Sequence, residues 1–146
     1  MATYQRRKFT CGPTSLHNAV AFLYGIGPSE DDFTEACRCG SEGTTEHQLK
    51  RGLRKFGFMH KSMSHKTVDG ALLAVQEEVE NGNAVVIYGY HRIHWFVVIG
   101  YQADHYIVID SADPELVVRY SEERLLNEWN PDAKHRFYAI SVNGKH

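Results

Sequence analysis

Cysteine is scarce in this chain of 146 residues, which holds only Cys11, Cys37 and Cys39. An odd number cannot close into intrachain disulfides, so the thiols are expected to serve chemistry, metal or packing in a reducing compartment. Long apolar runs are also lacking. The stretch from Trp95 to Ile99 is far too short to span a bilayer, and no apolar segment follows the basic Arg6-Arg7-Lys8, so a signal peptide is not expected. No excess of one charge sign exists: 16 Lys and Arg oppose 18 Asp and Glu, for a net charge of −2. That removes the electrostatic case for a nucleic-acid or anionic-membrane partner. These absences point to a cytoplasmic, soluble protein. What is present suffices for a core, since 42% of residues are hydrophobic and 23% charged. A chain of this length buries roughly 68–70% of its unfolded surface, and a single domain over 1–146 is expected.

Hydrophobic periodicity and caps predict a helical first half. Gly12-Pro13 opens a helix to about Tyr24, with Leu16, Ala19, Val20 and Leu23 on one face. Ser29 with Asp32, and Thr45 with Gln48, start two more helices that stop near Gly40 and Gly57. A fourth runs from Thr67 to Asn81-Gly82, with Gly70 weakening its first turn. Strands are expected over 84–90, 94–101 and 105–110, the first two apolar enough to be covered on both faces. A short helix over 121–129 and a strand over 136–142 complete an α+β pattern. His60 and His65 fall in a stretch that reads as an exposed loop.

Cys11 stands at the start of the first helix. A helix N-terminus carries partial positive charge and favours the reactive thiolate, although an isolated cysteine there often only packs. His94 opens one strand and Asp110 closes the next. A hairpin that pairs Gly100 with Asp104 makes them direct cross-strand neighbours, about 4.5–5.5 Å apart at Cβ. The carboxylate then holds Nδ1–H and leaves Nε2 for a thiol. Gln5, six residues before Cys11, could join the Cys11 backbone N–H in an oxyanion hole.

These residues together resemble a known family. Gln5, then Cys11-Gly12-Pro13-Thr14-Ser15-Leu16, then His94 leading an apolar run to Gly100-Tyr101, then Asp110 sixteen residues after the histidine, is similar to the papain-like cysteine peptidases of the bacteriocin-processing type. Those domains cleave leader peptides after a double glycine. Gly43-Thr44-Thr45 leading to Leu49 and Phe56-Gly57-Phe58, and Tyr120-Ser121 running to Trp129, extend the resemblance over nearly the whole chain.

The resemblance implies a papain-like fold, its helical N-terminal half packed on an antiparallel sheet from the C-terminal half. It implies Cys11 as nucleophile, His94 as acid and base, Asp110 as orienting acid and Gln5 as oxyanion donor. The family's aspartate commonly precedes proline, which here occurs at Asp113-Pro114. Spacing and hairpin geometry favour Asp110; the dipeptide favours Asp113. Many members are fused to transporters, whereas this chain resembles the free-standing ones.

The implied partner is a peptide or protein substrate, with small residues such as Gly before the scissile bond, and neither metal nor organic cofactor is required. An acyltransferase or amidase would use the same triad, and a non-catalytic peptide-binding module is the remaining rival.

Other residues have plainer readings. Cys37-Arg38-Cys39 lacks the spacing and partner pair of a zinc site and reads as two packing thiols. His91 reads as a loop histidine near the site mouth. Phe56 and Phe58 are assigned to the core or a substrate groove, as are Trp95 and Trp129.

Overall fold

The computed structural model describes residues 11–38, 44–91, 94–111, 115–131 and 136–144, the side chain of Cys11 excepted. In chain order these form α1 (Cys11–Tyr24), α2 (Glu30–Cys37), α3 (Glu46–Lys55), β1 (His60–His65), α4 (Val68–Glu80), β2 (Ala84–Gly89), β3 (His94–Gln102), β4 (His105–Ile109), β5 (Val117–Ser121), α5 (Glu122–Trp129) and β6 (Phe137–Val142). The strands make one sheet in the order β1-β6-β2-β3-β4-β5, and every neighbouring pair is antiparallel.

The caps anticipated for the helices are present. Ser29 and Asp32 bond reciprocally at the start of α2, at 2.9 and 3.1 Å, and Thr45 and Gln48 do so at the start of α3. Thr67 Oγ1 accepts the N–H of Gly70 at 3.1 Å, so the glycine that weakens the first turn of α4 is held by its cap.

Alternation along β2 and β3 divides the core into two layers. Val86, Trp95 and Val97 face α1, α2 and α3, with Leu16, Phe33 and Leu53 among their neighbours. Val85, Ile87, Phe96 and Val98 face the other way, toward Leu72 and Val75 of α4 and Leu125 and Trp129 of α5. Both central strands are therefore covered on both faces, as their apolar composition requires.

Two strands differ from expectation. The stretch holding His60 and His65 is β1, an edge strand with only Met63 buried. Its polarity suits an edge, and that polarity is what hides it in the sequence. β5 is the opposite edge, five residues long, with Val118 and Tyr120 inward and Val117 and Arg119 outward.

The Cys37 side chain is buried where α1, α2 and α3 meet; Cys39 lies outside the described residues. Gly52 of α3 leaves the room that Cys37 occupies: a Cβ there would sit 2.6 Å from Cys37 Sγ and 3.4 Å from Leu16 and Phe33. Alanine in place of a helical glycine normally gains about 1 kcal/mol. Overpacking a closed core costs about 1–3 kcal/mol, and the fully buried sulfur has little room to move. Gly52→Ala should therefore lower stability in urea unfolding. Gly52→Ala/Cys37→Ala should be more stable than the two single effects sum to, and strict additivity would refute the contact.

Candidate active site

The start of α1, Thr44 and the start of β3 are fastened to one another. Ser15 Oγ, one turn into α1, donates to the Trp95 carbonyl at 3.1 Å. Trp95 Nε1–H donates to the Thr44 carbonyl at 3.0 Å. Gly12 lies so close to Thr44 that an added Cβ would be 2.7 Å from Thr44 Cβ. Cys11, the first residue of α1, thus has its backbone at the helix end that abuts the start of β3, where His94 stands.

His94 and Asp110 meet, by a different register from the one expected. The β3–β4 hairpin closes at Gln102 and His105 through Ala103 and Asp104, whose φ angles are +52° and +63°. A two-residue turn with both central residues left-handed follows the strand twist, which favours it over the longer turn. Near the turn, Gly100 pairs with Ile107; beyond a bulge between Val98 and Gly100, Val97 pairs with Ile109. Continuing that register sets Asp110 opposite Phe96, which places it diagonal to His94 rather than across from it. Without the bulge's extra residue, Asp110 would point to the other face of the sheet.

The diagonal reach also decides which ring nitrogen is used. His94 Nε2, the nitrogen farther from the backbone, lies 3.2 Å from both Asp110 oxygens. This corrects the expectation that Nδ1 would face the carboxylate. Nδ1 is buried and has no partner among the described residues, so it is the nitrogen available to exchange a proton. His94 is 6% exposed and Asp110 fully buried, and the His94 ring rests on Phe96 at 5.7 Å.

One neighbour was not anticipated. Tyr120, fully buried on β5, donates its hydroxyl to Asp110 Oδ2 at 2.9 Å. Alternation along β5 turns Tyr120 inward together with Val118.

Gln5, Asp113 and Pro114 lie outside the described residues. His91 is exposed in the turn after β2, its N–H donating to the Glu128 carbonyl at 3.3 Å. Phe56 and Phe58 pack on Phe33, and Trp129 is buried on the α5 side of the sheet. Trp95 serves both core and groove. A groove of about 500 Å³ opens between the start of α3 and the ends of β2 and β6. Thr44, Tyr88, Tyr90, Trp95 and Tyr138 line it, with Glu46 and Arg136 also in its wall. Tyr88 stands edge-on to both Tyr90 and Trp95. Burial, with Glu46 accepting beside it, pushes the Tyr138 hydroxyl up to about 12, so it stays protonated at neutral pH. Among the described residues no group of three His, Cys, Asp or Glu is placed to hold a metal ion. No helix among them is long and apolar enough to cross a membrane.

Helices packed on both faces of a six-stranded antiparallel sheet make the fold of the papain-like C39 peptidase domains. The chain belongs to the Peptidase_C39 like family, whose model matches residues 2–136.

Solved structures agree on the fold. The peptidase domain of Streptococcus ComA, a bi-functional ABC transporter involved in quorum sensing, is 24% identical with a TM-score of 0.77, over 98% of this chain and 97% of that one. A double glycine motif protease from an AMS/PCAT transporter, solved in complex with the leader peptide, is 14% identical with a TM-score of 0.73, over 97% and 90%. The N-terminal peptidase C39 like domain of the toxin secretion ATP-binding protein from Vibrio parahaemolyticus is 10% identical with a TM-score of 0.63, over 97% and 99%. No curated protein matches the chain.

Proposed function

We propose that this protein is a thiol-dependent peptidase that cleaves a peptide bond through Cys11, His94 and Asp110, with Gln5 as oxyanion donor. The observation that carries the reading is the buried His94–Asp110 pair, its Nδ1 without a partner among the described residues, at the end of the sheet where α1 begins with a cysteine. Nδ1 takes the Cys11 proton, and Asp110 balances the imidazolium that forms. The thiolate adds to the scissile carbonyl, and the Cys11 N–H and Gln5 stabilise the oxyanion. The C–N bond then breaks as His94 passes its proton to the leaving amine. Water, deprotonated by His94, releases the acyl group and returns the thiol.

The substrate is a peptide, for which the aromatic groove beside Trp95 offers a wall. A preference for Gly before the scissile bond follows from the family resemblance. The test is mass spectrometry of products from a double-glycine leader peptide, with and without added amine. Two hydrolytic fragments are expected, absent with Cys11→Ala. A transfer product in place of hydrolysis, or turnover by Cys11→Ala, would overturn the reading.

A further inference from the structure

The buried carboxylate of Asp110 raises a question of charge. A carboxylate with no solvent exposure tends to take up a proton unless donors hold its anion. His94 Nε2 approaches both oxygens at 3.2 Å, a long and shared contact, whereas the Tyr120 hydroxyl meets Oδ2 alone at 2.9 Å. A phenol is a donor to a carboxylate throughout the neutral range, and hydrogen bonds to the anion favour it.

Tyr120 cannot move away from this task. It is fully buried on β5, its backbone is registered to Tyr106 of β4, its ring packs on Phe96 at 5.9 Å, and the Arg124 guanidinium lies 4.2 Å from the ring centroid. Phe96 is in turn the ring on which His94 rests. A cation over the face of a phenol makes its O–H a stronger donor. Asp110 is further fixed by its own N–H, which donates to the Leu116 carbonyl at 2.8 Å.

We infer that Tyr120 is a positioning residue of the active site: its hydroxyl keeps Asp110 ionised and aimed at His94 Nε2, and so sustains the thiolate–imidazolium pair of Cys11 and His94. The inference rests on the peptidase reading, and it assigns work to a residue outside the Cys-His-Asp set. Removing the hydroxyl takes away the shortest side-chain donor described on the buried carboxylate. Asp110 then tends toward its neutral form, the imidazolium loses its counter-charge, and the Cys11 thiolate forms only at higher pH.

The experiment is the pH dependence of Cys11 alkylation by iodoacetamide, followed by peptide mapping, on wild type, Tyr120→Phe, Asp110→Asn and the double variant. This readout needs no peptide substrate. In wild type, Cys11 should react well below the pH at which an ordinary thiol does. In Tyr120→Phe the acidic limb should move up by about one pH unit, and in the Asp110→Asn background the same change should add nothing. An unmoved limb in Tyr120→Phe, or an equal shift in both backgrounds, would overturn the role of Tyr120. Ordinary thiol behaviour of Cys11 in wild type would instead overturn the peptidase reading, and this inference with it. Should Tyr120→Phe not fold, 3,5-difluorotyrosine at position 120 keeps ring and hydroxyl but donates more strongly. It should move the limb down, and no movement would refute the proposal.

Discussion

His94→Ala should cut peptide hydrolysis by about a thousandfold or more, since a positioned acid and base alone contributes about 10²–10⁴, and the thiolate depends on the same ring. Mild alkylation at about pH 6 should separate the three thiols in the wild type, with Cys11 reacting ahead of Cys37 and Cys39, because only a thiolate is nucleophilic there. Cys37 is also shielded, being buried and packed between three helices. In His94→Ala the alkylation of Cys11 at that pH should fall to the rate of an ordinary thiol. Alanine also takes the His94 ring away from the buried Asp110 carboxylate, leaving the Tyr120 hydroxyl on Oδ2, so the variant should lose stability as well as activity.

His94→Gln separates the two effects. A glutamine amide can still donate toward Asp110, but it cannot take up a proton. Its activity should fall as far as that of the alanine variant while its unfolding midpoint stays closer to wild type. Retention of Cys11 labelling within tenfold in the glutamine variant would remove His94 from the mechanism.

How much of this was legible in the sequence depends on the range of the interaction concerned. The helices announce themselves through local signals, and Ser29–Asp32 and Thr45–Gln48 form the reciprocal bonds their spacing implies. The central strands are legible because burial on both faces makes them uniformly apolar. β1 is not, because an edge strand of alternating polar residues looks like a loop until β6 pairs with it.

The pairing of His94 with Asp110 was legible as an adjacency and not as a geometry. A spacing of sixteen residues across a hairpin suits several registers. The turn at Ala103-Asp104 and the bulge near Ile99 select one in which the contact is diagonal and falls on Nε2. Both features are backbone choices with weak residue signatures. Tyr120 was out of reach for a similar reason, since its role exists only once β5 is laid against β4.

Trp129→Ala should be the most costly single change in the core remote from the chemistry, lowering stability by about 3–5 kcal/mol. The indole is 1% exposed, meets Phe137 edge-on at 5.2 Å and donates Nε1–H to the Tyr138 carbonyl at 3.3 Å. For a chain of this size the loss should lower the melting temperature by roughly 8–15 °C, read by calorimetry or circular dichroism; a change under about 1 kcal/mol would show that the site collapses around the deletion, against the packing described.

The consequence extends to the site. Trp129 ends α5, and the carbonyls at that end accept the N–H groups of Tyr90 and His91 at 3.0 and 3.3 Å. Gly89, paired with His94, permits this approach, since a Cβ on it would lie 2.9 Å from the Glu128 oxygen. Tyr90 and His91, just after β2, are thus held by a helix end, and the Trp129 indole packs that end into the core. Trp129→Phe keeps a ring against Phe137 but loses the N–H, so it should cost less stability and disturb peptide turnover less than alanine does. If both variants left turnover unchanged well below their melting temperatures, α5 would be acting on the fold alone and not on the placement of His94.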